Sequence, residues 1–333
     1  MSRIDAAGFV GLVDAPRAWA TVTAQRTILG LVAAAAVSGR SHREDEALRI
    51  GKITVGSLNE WVLAPGTVIS WHPTSSSAEK ARHAPVSSVP VSYMQGQHLR
   101  NYCDRTAAGL NFSRQIIASC DVPGECDTAA MDVALNAYLR RHDTFRSWFE
   151  RADDDTFIRH TITDPAEIEF EPVNHGDLTV DQIRTHTTAI PNPLEWGCWT
   201  FGIVQREGQF TFFVAMDHVH GDATLIGTTM MEANGMYAAL SGGGEPLELP
   251  DAGSFDDFCV RERESTSTLT VDSPGVSAWI DYAENNSGSF PEFPLPLGDP
   301  LKSTSSDMAS ELLMDTAQTE RFEAACGTAG ARF

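Results

Sequence analysis

Basic residues are scarce in this chain: 24 lysines and arginines stand against 45 aspartates and glutamates, a formal net charge of -21 over 333 residues. No dense Lys/Arg block offsets this excess, so nucleic acid and anionic membrane surfaces are excluded as general partners, because both would repel it. Metal-type cysteine spacing is missing as well. Cys103, Cys120, Cys126, Cys198, Cys259 and Cys326 lie scattered, without a CxxC pair or a Cys/His cluster, which removes the usual cysteine-based zinc centre. They read as reduced, mostly buried thiols of a reducing compartment. The apolar run at 27–37 (TILGLVAAAAV) is shorter than the roughly 20 residues a membrane-spanning helix needs. Followed by Ser38 and Gly39, it has some features of a signal-peptide core. Asp5 and Asp14 precede it, however, and a compact basic start is missing. We read residues 1–50 as an N-terminal extension, closed by the polar break SHRED at 41–45.

What is present is a globular composition. With 42% hydrophobic residues, the chain can bury one large core or two ordinary ones. Residues 52–63 alternate well enough for a strand, and Pro65-Gly66 marks a turn. The Ser/Ala/Pro-rich stretch 73–91 is expected to be a surface excursion. A helical period runs from Ser92 to about Gly109, followed by an apolar strand at 110–122. Asp127 suits an N-cap, with Met131, Ala134, Leu135, Tyr138 and Leu139 repeating at helical spacing behind it. Strands are expected at 156–162 and 167–173, and a polar helix at 179–189. The strongest strand is 210–216 (FTFFVAM), dense in aromatic and β-branched residues. A helix with Ile226, Met230, Ala233, Tyr237 and Leu240 on one face comes next and ends at Gly242-Gly243-Gly244. Residues 269–300 then resemble a long connection, and 316–326 a helix. The alternation predicts α/β or α+β layers.

The strongest strand runs directly into Asp217-His218-Val219-His220-Gly221-Asp222. A histidine where a rigid strand turns into a loop is well placed to act as a general base on a hydroxyl. Asp222, four residues on, suits either of two tasks: holding the imidazole, or anchoring the loop through an arginine. Two other readings stand beside this one. His218 is also consistent with an internally satisfied ring beside an aspartate that caps the next helix. If the strand continued, His218, His220 and Asp222 would share one face and could bind zinc or iron, although Gly221 works against an extended strand there.

Four stretches, in order, resemble the condensation-domain superfamily. Residues 92–99 (SYMQGQHL) are similar to its SxAQ…L helix, and 141–149 (RHDTFRSWF) to its RHExLRTxF segment. Residues 215–225 (AMDHVHGDATL) resemble its HHxxxDG core, and 255–259 (FDDFC) its YxDFA segment. Within that superfamily, 53–73 (ITVGSLNEWVLAPGTVISWHP) together with 141–149 resemble the mycobacterial polyketide-associated acyltransferases. The similarity covers roughly residue 52 to the end. Two positions depart from the pattern: Asp217 stands where the motif has its first histidine, and Ala223 where it has its final glycine.

The resemblance implies a chloramphenicol-acetyltransferase-like architecture of two α/β lobes with the site between them. Residues 51–225 would form the first lobe, carrying the His/Asp motif, and 226–333 the start of a second, incomplete lobe. It assigns His218 as the catalytic base and Asp222 as the motif aspartate that keeps the loop in shape. His142 and Arg146 read as scaffold, because their place at a helix C-terminus suits cations that satisfy its carbonyls. The reaction that the resemblance implies is acyl transfer from a thioester, either acyl-CoA or a polyketide synthase-bound chain, to a sugar or lipid alcohol such as a trehalose glycolipid. No metal or tightly bound cofactor is implied, and a polyketide synthase is the candidate protein partner. A cytoplasmic location is expected, with the inner face of the membrane as an alternative. The competing readings are an amide-forming condensation domain and a non-catalytic remnant of the fold. The DFGWG-like loop of the family has no counterpart before Phe333, so the 333 residues alone are expected to show little transfer.

Overall fold

The computed structural model describes residues 48–50, 53–55, 58, 61–110, 114–153, 156–286, 288 and 313–331. The apolar run at 27–37 and most of the expected extension lie outside the described residues. Two compact units divide the chain, residues 63–298 and residues 1–62 with 299–333. In the latter, β1 (Leu48–Ile50) and β2 (Ile53–Val55) pair antiparallel. The strand expected at 52–63 is therefore only three residues long among the described positions.

The unit at 63–298 is built on a five-stranded sheet. Along the chain come β3 (Gly66–Pro73), α1 (Ser75–Arg82), α2 (Tyr93–Ala107), β4 (Gln115–Pro123) and α3 (Thr128–Arg141). Then follow β5 (Ser147–Arg151), β6 (Phe157–Thr161), β7 (Phe170–Leu178), α4 (Val180–Thr188), β8 (Trp199–Arg206) and β9 (Gln209–Asp217). Helices α5 (Ala223–Ser241), α6 (Phe255–Ser267) and α7 (Pro274–Asn285) complete the unit, and α8 (Thr316–Thr328) belongs to the other one. The sheet order is β4-β9-β8-β3-β7, antiparallel at every step, and β5 and β6 form a separate hairpin. This is an α/β fold of antiparallel sheet and helical layers. The compact unit runs across residue 225, which lies inside α5.

β9 is paired on both sides, by β4 and β8, and every residue from Phe210 to Asp217 is buried. A strand covered on both faces reads as a continuous apolar run, which is what FTFFVAM is. Across the β8–β9 register, Gly202 lies opposite Phe213. A Cβ at 202 would come within 2.3 Å of the Phe213 ring, so the aromatic side chain fits only over a residue with no side chain. Helix α3 starts where Asp127 accepts hydrogen bonds from the Ala129 and Ala130 amides. Its predicted apolar face, Met131, Ala134, Leu135, Tyr138 and Leu139, is fully buried. Burial of each large side chain on that face contributes about 1.5–3 kcal/mol. Tyr138 bonds Thr229 of α5 at 2.6 Å, joining the two helices inside the core.

Two further segments differ from expectation. The stretch 73–91 holds α1, whose serine-rich sequence has little helical propensity. Thr74 caps it, and the buried Ser77 hydroxyl donates to the Glu167 carbonyl, so tertiary bonding supplies what propensity lacks. The expected connection 269–300 holds α7, begun by Pro274 at its first turn. None of its residues is buried, and Trp279, Ile280 and Tyr282 face outward. All six cysteines are free, with Cys103, Cys198 and Cys259 buried. Among the described residues no helix is long and apolar enough to cross a membrane.

Candidate active site

His218 follows directly on the end of β9, and its backbone amide is held by the Arg114 carbonyl at 2.8 Å. The side chain is exposed, and its Nδ1 lies 3.0 Å from the Gly221 carbonyl oxygen. A carbonyl oxygen only accepts, so Nδ1 carries the hydrogen and Nε2 is left with its lone pair. Fixing the tautomer in this way makes Nε2 the basic atom. A Cβ at Gly221 would lie 2.7 Å from Leu225 Cδ2 and 3.1 Å from Met216 Sδ, so a larger residue there would have to push these side chains aside. Asp222 caps α5, its Oδ1 accepting from the Thr224 and Leu225 amides at 2.8 and 3.0 Å. Asp222 is thus engaged with backbone amides as the cap of the next helix, the arrangement expected of the alternative reading, and not with an arginine in these bonds. Ala223, the departure from the motif glycine, is the first helical residue of α5 and is exposed, so its methyl group is accommodated.

Asp217 has a larger part than its replacement of the motif histidine suggested. Its carboxylate is wholly buried and accepts from His98 Nε2 at 2.8 Å, Arg114 at 2.5 Å and the Val219 amide at 2.9 Å. Burial alone would raise its pKa. The His98 bond, the Val219 amide and the Arg114 guanidinium outweigh burial and hold it below the usual carboxylate range. His98 and His218 have ring centroids 6.3 Å apart. Asp217 therefore ties α2 and the chain entering β4 to the base of the loop that carries His218. His98 was within reach of sequence reasoning, since it lies in the quoted SYMQGQHL stretch. Arg114 carries no local signal.

The four stretches that resemble the superfamily converge on this loop. Gln95 of α2 completes a capping box with Ser92, and its Nε2 donates to the Val219 carbonyl at 3.0 Å. Its Oε1 accepts from buried Arg159, which also pairs with Asp256 of α6 at 2.5 Å. Asp143 receives the Phe255 and Asp256 amides and the Ser254 hydroxyl, fastening the start of α6. Thr144 donates to the His220 carbonyl at 3.2 Å. His142 and Arg141 share Glu232 of α5, at 2.8 and 3.1 Å. The partner of His142 is thus a carboxylate of the neighbouring helix, where helix-terminal carbonyls were expected. Arg146 lies 4.0 Å from Asp143 in the same region.

The alternative in which His218, His220 and Asp222 hold a metal fails on direction. His220 is buried, with its ring against Trp199 and Phe149 and Nδ1 3.2 Å from the Thr144 hydroxyl, whereas His218 faces outward and Asp222 turns to α5. Burial lowers the His220 pKa to about 4. A histidine kept neutral in the fold but titrating near 6.5 when unfolded costs nothing above pH 6.5 and destabilises as pH falls from there toward 4. Over the full window this is about 3 kcal/mol. Urea midpoints are expected to fall between pH 7 and pH 4.5, and the fall should shrink in His220→Gln. A midpoint that stays flat across this range would contradict the assignment.

No protein-family model matches the chain. It is 54% identical over 286 residues to a Mycobacterium tuberculosis protein named acyltransferase PapA3, covering 86% of this chain and 61% of that one. Over the same number of residues it is 52% identical to the M. tuberculosis 2'-acyl-2-O-sulfo-trehalose (hydroxy)phthioceranyltransferase PapA1, covering 86% of this chain and 56% of the relative. A solved structure of PapA2 acyl transferase superposes with a TM-score of 0.78 at 47% identity, covering 84% of this chain and 60% of that one. The X-domain from teicoplanin biosynthesis shares the fold at a TM-score of 0.53 and 19% identity, covering 75% of this chain and 56% of that one. The chain spans about 60% of the length of the curated relatives it matches.

Proposed function

This chain is a homologue of the mycobacterial PapA acyltransferases with a condensation-domain-like fold, and on that premise we propose that it moves a long-chain acyl or polyketide group from a thioester to a hydroxyl of a trehalose-type glycolipid or another lipid alcohol. The observation that carries the proposal is the His218 ring, exposed at the end of β9 with Nδ1 hydrogen-bonded to the Gly221 carbonyl and Nε2 open. His218 Nε2 takes the proton of the acceptor hydroxyl as its oxygen attacks the thioester carbonyl. The tetrahedral intermediate then expels the thiolate, which recovers the proton from the imidazolium. Asp222 holds the loop by capping α5 and takes no proton.

The acceptor class follows the relatives' names, which specify trehalose-2-sulfate for PapA2 and an acylated sulfo-trehalose for PapA1. Acyl-CoA or a polyketide synthase-bound chain is the proposed donor, and the cytoplasm, at the inner face of the membrane, the proposed place of action. To test this, the protein is incubated with a long-chain acyl-CoA and trehalose or trehalose-2-sulfate, and the products are read by mass. Two forms are compared: the chain as it stands, and a fusion that adds the part of PapA2 it does not match. An ester of the sugar is expected from the fusion. Free fatty acid alone, or an amide formed with an added amine in preference to the ester, would overturn the proposal.

A further inference from the structure

On the β7 side of the sheet, three histidines from three elements face a single serine. Ser70 and His72 are two residues apart on β3 and share one face. His175 comes from the edge strand β7, at the bulge where Ile69 pairs with Asn174 and Val68 with Gly176. His186 comes from α4. Their Nε2 atoms lie 2.8, 2.8 and 3.0 Å from the fully buried Ser70 hydroxyl oxygen. We propose that His72, His175 and His186 form a binding site for a divalent transition-metal ion of the zinc type, separate from the acyl-transfer chemistry at His218.

The three ligand nitrogens lie within 4.8 Å of one another. Nitrogens about 2.0–2.1 Å from a tetrahedral zinc ion would sit roughly 3.4 Å apart, which modest rotation of the rings supplies. A serine hydroxyl has one hydrogen and two lone pairs, so unaided it meets all three rings only by donating to one and accepting N–H bonds from the other two. A cation instead takes the lone pairs of all three. Those lone pairs are available at neutral pH. Burial and then the neighbouring His175 and His72 lower His186 to about 4, and burial also lowers His72 and His175. An all-imidazole set suits zinc, nickel and copper over magnesium or calcium. His175 and His186 also line an open surface depression of about 510 Å³ with Asp181 and Thr185, which gives an ion an entry path and leaves a fourth position for water or a carboxylate. Bound there, the ion would tie edge strand β7 and α4 to β3.

The test uses the metal-stripped full chain, titrated with Zn²⁺ by calorimetry and with Co²⁺ by visible absorption. One ion per chain is expected, with four-coordinate cobalt bands and a thermal midpoint raised by several degrees at excess Zn²⁺. His186→Ala and, independently, His175→Asn should each weaken binding at least about tenfold, while Ser70→Ala keeps it. Should His186→Ala fail to fold, His175→Asn at the strand bulge decides the matter. Equal binding by wild type and the histidine variants, or binding by none of them, would overturn the proposal in favour of a serine-centred hydrogen-bond hub.

Discussion

His218→Ala is expected to lower acyl transfer by a factor of about 10² or more while leaving thermal stability nearly unchanged. A hundredfold loss is roughly 2.7 kcal/mol of barrier, a usual size for losing one positioned base. Stability should hold because the ring is exposed and makes only a local bond back to its own loop. His220→Ala is expected to do the reverse. It empties a buried site against Trp199 and Phe149, so the fold weakens first and the rate constant of the remaining folded enzyme changes much less. Measuring kcat and thermal midpoint on the same two variants separates the roles. If His218→Ala kept a near-normal rate, another group would be taking the proton, and His98 is the neighbouring ring to examine.

The largest stability effect should come from Asp217. Removing the buried carboxylate of an ion pair leaves the partner cation, here Arg114, without its counter-charge, which typically costs about 3–5 kcal/mol. In Asp217→Ala, Arg114 and His98 would both lose the carboxylate that holds them, and the Val219 amide would lose its acceptor. For a protein of this size the melting midpoint should fall by roughly 10 °C. Asp217→His is the more pointed variant, since it restores the residue usual at this place in the motif. It sets an imidazole against Arg114 and His98 with no anion between them, and is expected to destabilise nearly as much as alanine. Calorimetry on both variants checks this. Loss of under 1 kcal/mol in each would show that the network contributes little and that Asp217 is a neutral replacement.

Legibility in the sequence followed the number of faces an element buries and the strength of its caps. β9 and α3 were clear because each is covered by core and begins or ends at a strong local signal, FTFFVAM running into the loop and Asp127 at the N-cap. The helix at α2 was equally clear, through the helical period that starts at Ser92 and runs to about Gly109. Helix α1 was not, because its start is a run of serines whose helical state depends on Thr74 and on the bond from Ser77 to Glu167, a residue 90 positions away. The site shows the same division. His218 and Asp222 lie in one short motif and could be singled out together. Arg114 and Arg159 could not, since only folding brings them to Asp217 and to Gln95. The histidine cluster is hidden for the same reason: His72, His175 and His186 have no common spacing in sequence, and only strand pairing with a bulge and the placement of α4 bring them together.

The most direct measurement of the central claim is acceptor-dependent thiol release from acyl-CoA, followed side by side in the fusion that carries the unmatched part of PapA2 and in its His218→Ala variant. If His218 Nε2 draws the proton from an acceptor hydroxyl, thiol should appear only when a trehalose acceptor is present and should fall about 10²-fold or more in the variant. Thiol release that ignores the acceptor, or that proceeds equally fast in both proteins, would contradict it.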